Sequence, residues 1–400
     1  MAKKLDKFFE SYLKKKPLFI NKKALQDQFT PENIPHRDEQ INQIAGILAP
    51  ALRLEKPSNL FLYGKTGTGK TVVSKYVTDQ IMETSKKKNI PLKIAYLNCK
   101  MKRVADTEYR LIAQLCSIFG KDVPATGLPT DAVYKTFIKI LEGDKQLVIL
   151  VLDEIDQLVE KAGDGILYNL TRMNSELKNA QVSIIGISND LLFVDNIDPR
   201  IKSSLSEEEL VFPPYNALQL QDILKERVKL AFREGVVKNG VIEKCSAYAA
   251  REHGDARRAL ELLRVAGEMA ERKNQTEIMI EHLDEAEEKI ERDRIFDIIT
   301  TQPKQSQLAL HSIFSLNFDK KSLFTGDVYE IYKKNCSKCS LKPLTQRRIS
   351  DIIAELDMLG IINAKVISKG RYGRTREISL AIPESSIGEV KEILIDSLNL

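Results

Sequence analysis

The chain has 400 residues, of which 43% are hydrophobic and 29% charged, with a formal net charge of +5. That length allows two or three domains with separate cores, and the balance excludes disordered, fibrous and membrane-embedded classes. The longest apolar runs, such as 146–152, fall far short of a membrane span and the Lys-rich start lacks the apolar stretch of a signal peptide, so a cytoplasmic protein with no membrane partner is expected.

Residues 1–30 alternate basic and apolar positions and read as a short helix and lead-in. Eight lysines stand against two acids in residues 1–25, which suits a polyanionic partner or, alternatively, a solvated lysine face. A Pro-containing polar stretch then precedes a helix over 38–54, whose Ile41, Ile44, Ile47, Leu48 and Leu52 recur near a 3.6 period.

The next stretch, Asn59 to Tyr63, is a short apolar strand. It runs into Gly64-Lys65-Thr66-Gly67-Thr68-Gly69-Lys70-Thr71, which fits the phosphate-loop pattern G-x-x-x-x-G-K-[ST]. Glycines let the backbone curl with its N–H groups inward, and a helix starting near Lys70 adds its positive end, so the concavity suits a polyphosphate. In that mould Lys70 meets the β- and γ-phosphates and the Thr71 hydroxyl ligates Mg²⁺. The bland alternative is a Gly-rich turn. A helix to Lys86, a strand over 93–98 and two helices, 107–119 and 130–141, follow.

The apolar strand ending Leu152-Asp153-Glu154 is the second nucleotide signature: Asp153 holds Mg²⁺ through water and Glu154 takes a proton from attacking water. A further strand over 181–188 ends at Asn189, which can orient that water or merely cap a turn. Alternating strands and helices imply a parallel sheet with its ligand at the carboxyl rim.

Two prolines at 213 and 214 mark a boundary, and 216–286 reads as helical throughout. Gly254 to Arg258 puts arginines at a helix start, against the helix dipole, which an anion nearby would explain. One mildly unfavourable charge also needs no explanation.

Residues 321–376 carry twelve Lys or Arg against five acids. A helix over 344–359 turns Leu344, Ile349, Ile352, Ile353, Leu356 and Leu359 to one face and leaves Gln346, Arg347, Ser350 and Asp351 outward, with Gly360 stopping it. Two strands, 361–368 and 376–381, flank a basic tip at 369–375. Helix plus basic hairpin is the winged-helix form of helix-turn-helix, in which the helix enters a major groove and the tip reaches the backbone; a protein-binding winged helix is the alternative. Five scattered cysteines suit a reducing compartment. Cys336 and Cys339 have the spacing of half a zinc site, but no second pair follows.

In this order, the phosphate loop, Asp153-Glu154, Asn189, Gly254 to Arg258 and the helix-hairpin end resemble the AAA+ replication initiators of archaea, the family related to origin recognition complex subunit one and cell division control protein six. The resemblance covers nearly the whole chain, and Phe212-Pro213-Pro214-Tyr215 and Gly370-Arg371-Tyr372-Gly373-Arg374 look especially like it. It implies a basic lead-in (1–30), an α/β P-loop AAA+ base with a parallel sheet (31–212), an all-α lid (213–286) and a C-terminal winged-helix domain (287–400). Asn189 then matches sensor 1, and Arg257 matches sensor 2, which reaches the γ-phosphate from the lid. Ile34, Pro35, His36 and Arg37 fall where the family lines its adenine pocket, and Tyr215 joins the nucleotide-binding set. The loop around Lys121, Thr126 and Thr130 matches an insertion that presses on DNA, and Arg200 matches an arginine finger offered to a neighbouring subunit. Many AAA+ proteins carry a second Arg where Ser204 stands.

The expectation is thus a slow, switch-like AAA+ ATPase that uses ATP/ADP and Mg²⁺ and no other small-molecule substrate. It would recognise double-stranded origin DNA and recruit or load the replicative minichromosome-maintenance helicase, with paralogous initiators as companions on DNA and a nucleoid-associated location. Gln346, Arg347, Arg348 and Ser350 would face the groove, with Arg371, Tyr372, Arg374 and Arg376 on the wing. Two alternatives are a clamp loader, which has no call for a basic wing, and a winged-helix transcriptional regulator that senses ATP without turning it over.

Overall fold

The structure is a computed structural model that describes residues 16–26, 29–100, 107–124, 126–205, 207–316, 323–368 and 374–400. The chain divides into two compact units, Met1–Leu283 and Asp284–Leu400.

In the first unit, α1 (Asp38–Leu48) leads to β1 (Leu60–Tyr63), α2 (Lys70–Lys87) and β2 (Leu92–Asn98). Helices α3 (Glu108–Ile118) and α4 (Thr130–Leu141) precede β3 (Gln146–Asp153). Then come α5 (Ile155–Ala162), α6 (Gly165–Arg172), β4 (Ala180–Ser188), α7 (Phe193–Asn196), α8 (Pro199–Leu205) and β5 (Glu208–Val211). The five strands form one parallel sheet in the order β2-β3-β4-β1-β5. Every residue of β3 is buried, as expected of a central parallel strand covered on both faces. Leu97, Leu150 and Ile184 join the core under α3, α4 and α6. Leu62, Ile149 and Ile185 join the opposite core, with Ile44, Val73 and Val77 of α1 and α2. At the carboxyl rim of this sheet Tyr63, Asp153 and Ser188 end their strands.

Two departures from the sequence reading have simple causes. The helix expected over 38–54 is α-helical only to Leu48, continues as a 3₁₀ turn over Ala49–Arg53 and ends with Leu54 left-handed at φ 59°. Pro50 has no N–H to continue the α pattern. The stretch before the two prolines holds an edge strand, β5, which its Glu208 and Glu209 concealed; charged edges are a common way to discourage sheet-to-sheet association.

The helical remainder of this unit is α9 (Ala217–Ala231), α10 (Val241–Arg251) and α11 (Ala256–Arg272). Asn216 caps α9 in a reciprocal capping box with Gln219. The segment from Leu18 lies against these helices: Ile20 N donates to Ala231 O at 2.7 Å, Arg233 N to Leu18 O at 3.2 Å, and Lys22 pairs with Glu268 at 2.6 Å.

The second unit holds most of α12 (Ile280–Thr301), then α13 (Lys304–Ser315), β6 (Leu323–Phe324), α14 (Thr325–Lys338), α15 (Gln346–Met358), β7 (Ile362–Ser368), β8 (Arg374–Leu380) and α16 (Glu384–Leu398). Its three-stranded sheet runs β6-β8-β7, all antiparallel. Ile349, Ile352, Ile353 and Leu356 bury the inner face of α15 against Leu310, Ile313 and the fully buried Tyr332. Thr345 caps α15 by accepting from Arg348 N. This is a winged helix.

Gly267 tests how the N-terminal segment is held. A Cβ there would lie 2.6 Å from Phe19 Cζ and 3.0 Å from Phe232 Cε1. Gly267→Ala gains about 1 kcal/mol of helix propensity against an overpacking cost of about 1–3 kcal/mol. The ring of Phe19 is the part free to yield. The expected outcome is a nearly unchanged Tm with faster trypsin cleavage at Lys22 and Lys23; a raised Tm with unchanged cleavage would reject it.

Candidate functional site

Strand β1 delivers the chain into the phosphate loop, where Gly67 (φ 73°) and Gly69 (φ 94°) take left-handed conformations and α2 starts at Lys70. Lys70 is 5% exposed. Its Nζ donates to Gly64 O (2.6 Å), Lys65 O (2.8 Å) and Asn189 Oδ1 (2.9 Å). Burial, with the nearby Arg257 charge, pulls its pKa down to about 8. Lys70 and Asn189, 119 residues apart, are thus directly bonded. This is a consequence of β1 pairing beside β4.

Thr71 Oγ1 donates to Asp153 Oδ2 at 2.9 Å. The same oxygen accepts the hydroxyl of Tyr96, and Asp153 Oδ1 accepts Glu154 N at 3.0 Å. Glu154 itself sits left-handed at φ 56°, a conformation that costs a non-glycine residue about 1–2 kcal/mol. Its Oε2 is buried with no hydrogen-bond partner among the described residues, and Lys100 Nζ stands 4.0 Å from its Oε1. Burial raises the Glu154 pKa, and the Asp153 and Asp156 charges push the same way. A carboxylate with one unsatisfied buried oxygen and raised basicity is chemically suited to take a proton.

These groups open into a cavity of about 610 Å³. Its walls include Gly67, Gly69, Lys70, Thr71, Asp153, Glu154, Asn189, Tyr215 and Arg257, together with Ile34 and Pro35. Helix α11 closes it. Ala256 N donates to Gly67 O at 3.2 Å, and Asp255 caps the helix through Arg257 N and Arg258 N, so its carboxylate lies over Gly67.

Other expected residues stand elsewhere. Thr68 Oγ1 donates to Lys65 O, and Lys65 Nζ lies 3.4 Å from His253 Nδ1. His36 pairs with Asp222 at 3.1 Å, while Arg37 runs beneath the loop to Thr68 O and Pro213 O. Arg200, on the first turn of α8 and outside the cavity walls, is bidentate to Asp198 at 3.1 and 2.8 Å. This pairing holds the Asp198 carboxyl down at about 2. The sequence reading missed Tyr96, Lys75, Phe29, Glu226 and Arg227. Lys75 stands one turn after Thr71 and could have been found; Phe29, Glu226 and Arg227 come from distant segments folded onto the cavity, and Tyr96 reaches Asp153 from β2.

In the second unit, Gln346, Arg347 and Arg348 are exposed on α15 and Ser350 is half-buried. Arg348 is committed along its own helix to Glu355 at 3.3 Å. Val366 pairs with Arg376 and Ser368 with Arg374 across the wing. Arg371 and Tyr372 lie outside the described residues. In the first unit, Lys121 and Thr126 are exposed between α3 and α4, and Thr130 opens α4. All five cysteines are free, and among the described residues no cluster of three or more His, Cys, Asp or Glu is placed to hold a metal. No described helix is long and apolar enough to cross a membrane.

A phosphate loop on a central parallel strand, an acidic rim beside it, a helical lid over it and a winged helix define an AAA+ protein with a winged-helix module. Family models match in the same order: an AAA domain over 53–194, a Cdc6 AAA+ ATPase-type lid domain over 221–288 and a CDC6 C-terminal winged helix domain over 297–390. The chain is 54% identical over 383 residues to an ORC1-type DNA replication protein of Thermococcus onnurineus, covering 94% of this chain and 92% of that one. It is 50% identical over 402 residues to ORC1-type DNA replication protein 1 of Methanosarcina mazei, covering 100% and 95%. Among solved structures it is similar to the Aeropyrum pernix ORC1 protein in complex with DNA, with a TM-score of 0.85 and 44% identity over 96% of this chain and 98% of that one. The chain belongs to the family of ORC1-type DNA replication proteins.

Tyr96 gives a direct test of the acidic rim. Tyr96→Phe removes one of two side-chain donors to Asp153 Oδ2 and should cost the first unit about 2 kcal/mol, the usual worth of a hydrogen bond to a charged group. The check is the urea midpoint of that unit; an unchanged midpoint would show that the bond contributes nothing.

Proposed function

We propose that this protein is an ATP-switched replication initiator that binds double-stranded origin DNA and recruits or loads the replicative helicase. The observation that carries the reading is the seating of α11 on the phosphate loop, which puts Arg257 on the same cavity wall as Lys70, Asp153 and Glu154. Anything bound to the loop is therefore sensed by the lid. ATP with Mg²⁺ would supply the phosphoanhydride whose cleavage times the switch.

In this reading Gly64 to Thr71 cradle the phosphates, and Lys70 exchanges loop carbonyls for phosphate oxygens. Thr71 would hold Mg²⁺ through its hydroxyl and Asp153 through water, hard oxygen donors that suit this ion without a larger protein cluster. Glu154 accepts the proton of water oriented by Asn189, and Arg257 reports the γ-phosphate to the lid. Ile34, Pro35 and Tyr215 face the nucleotide, with His36 and Arg37 acting from behind. The Asp198 pairing would have to open before Arg200 served a neighbouring subunit, which fits slow turnover.

The base, lid and winged helix would run over 31–212, 213–286 and 287–400, after a basic lead-in. The similar Aeropyrum pernix protein was solved in complex with DNA, which supports DNA as the partner of Gln346, Arg347, Ser350 and the wing residues Arg371, Tyr372, Arg374 and Arg376. Lys121, Thr126 and Thr130 would add contacts from the first unit. Paralogous initiators and the minichromosome-maintenance helicase are the protein partners this reading requires, in the cytoplasm at the nucleoid.

Two measurements test the two halves. Lys70→Ala should abolish nucleotide binding, whereas Glu154→Gln should keep binding and lose hydrolysis; equal turnover in wild type and Glu154→Gln would remove Glu154 as the base. Genome-wide recovery of bound DNA should enrich replication start sites, and Arg347→Ala should relax sequence preference there by about 1–3 kcal/mol. Enrichment at promoters alone would favour a transcriptional regulator.

A further inference from the structure

Arg37 is among the most buried charged residues described, at 2% exposed, yet among the described residues no carboxylate pairs with it. Its guanidinium is consumed by carbonyls and rings instead. Nε donates to Thr68 O at 3.0 Å, Nη1 to His36 O at 3.1 Å and Nη2 to Pro213 O at 2.6 Å. The cation also lies 3.8 Å from the ring centroid of Tyr215 and 5.7 Å from that of Phe212. Thr68 sits between the two left-handed glycines of the phosphate loop. Pro213 and Tyr215 belong to the connection leading into α9. One side chain therefore ties the loop to the base-to-lid connection.

The tie continues. Gly69 faces the Tyr215 hydroxyl, which would lie 2.8 Å from a Cβ there. Gly254, just before α11, is left-handed at φ 69° and packs on Tyr215 so closely that a Cβ would meet Tyr215 O at 2.2 Å. From Gly254 the chain passes through Asp255 and Ala256 back to Gly67. Loop, Arg37, Tyr215, Gly254 and α11 make a closed ring of contacts in which no member is free to shift alone.

Resting on the nucleotide-switch reading above, we propose that Arg37 is a positioning residue that couples the phosphate loop to the base-to-lid connection, so that a shift of the Thr68 carbonyl on nucleotide binding moves Tyr215 and, through it, the lid. Arg suits this role because its rigid fork spans two carbonyls while its face stacks on an aromatic ring. A lysine ammonium has the charge and lacks both the fork and the plane.

The test uses the intact protein at nucleotide concentrations that saturate each variant. Amide hydrogen exchange over 251–265 is compared with ADP and with a non-hydrolysable ATP analogue. Wild type should show about a tenfold difference in protection between the two, within the usual range of coupling between sites. Arg37→Lys should reduce this difference to about threefold or less while nucleotide remains bound. A purely structural Arg37 would lower Tm and leave the ATP–ADP difference in place, which overturns the proposal. If Arg37→Lys loses its cooperative transition, Tyr215→Leu decides: it keeps the three carbonyl bonds, removes the stacked ring and should also collapse the difference. Wild type that binds no nucleotide would overturn the switch reading itself. Wild type that binds, with Arg37→Lys or Tyr215→Leu responding as wild type does, would overturn only the role of Arg37.

Discussion

Two cations are buried in and under the phosphate loop, and among the described residues neither is bonded to a carboxylate. Lys70 is held by two loop carbonyls and the Asn189 amide, Arg37 by three further carbonyls. Removing an ammonium and a guanidinium from water is costly, and carbonyl dipoles return only part of that cost. The depressed pKa of Lys70 is the sign of the shortfall. A fold that keeps such a site is stable for other reasons, here a sheet sealed on both faces by apolar layers. The site remains electrostatically unfinished in the way that a polyanion would finish.

Sheet order decides where that incompleteness is felt. Because β4 lies between β3 and β1, Asn189 falls beside Lys70 while Asp153 falls beside Thr71. A different strand order would leave the same motifs in the sequence and scatter them in space. The glycines have a second use here. Gly67 and Gly254 permit left-handed turns, and they also let α11 and Tyr215 approach backbone to backbone. Substituting either would open the lid as well as strain a turn.

Much of this was legible in the sequence. The phosphate loop, the Asp153-Glu154 strand end and the hydrophobic face of α15 are local patterns, each set by residues within a turn or two of one another. What escaped was assembled from a distance. Tyr96 reaches Asp153 from β2, and the segment from Phe29 to Asn33 lines a cavity whose chemistry lies elsewhere. Strand β5 carried too much charge to read as sheet. Arg37 entered the nucleotide-binding set through the family resemblance, with Ile34, Pro35 and His36; its place beneath the loop was not visible there. The Thr68 and Pro213 carbonyls that turn it beneath the loop are 31 and 176 residues away.

The base and lid share one compact unit, and this limits how a switch in it can work. The lid touches the loop through Ala256 and Gly67, and its Gly254 packs on Tyr215 of the connection leading into α9. Asn33 also bonds to Glu226 at 2.9 Å, and the Leu18 segment is pinned to the lid at Ala231, Arg233 and Gly267. A lid held at so many points gains little from a free hinge. Close-packed contacts yield in discrete steps, because an intermediate position loses packing on one side before gaining it on the other. A loop carbonyl that moves by a fraction of an ångström can therefore be read out as one of two lid positions, provided a rigid side chain carries the displacement to the connection where the lid begins.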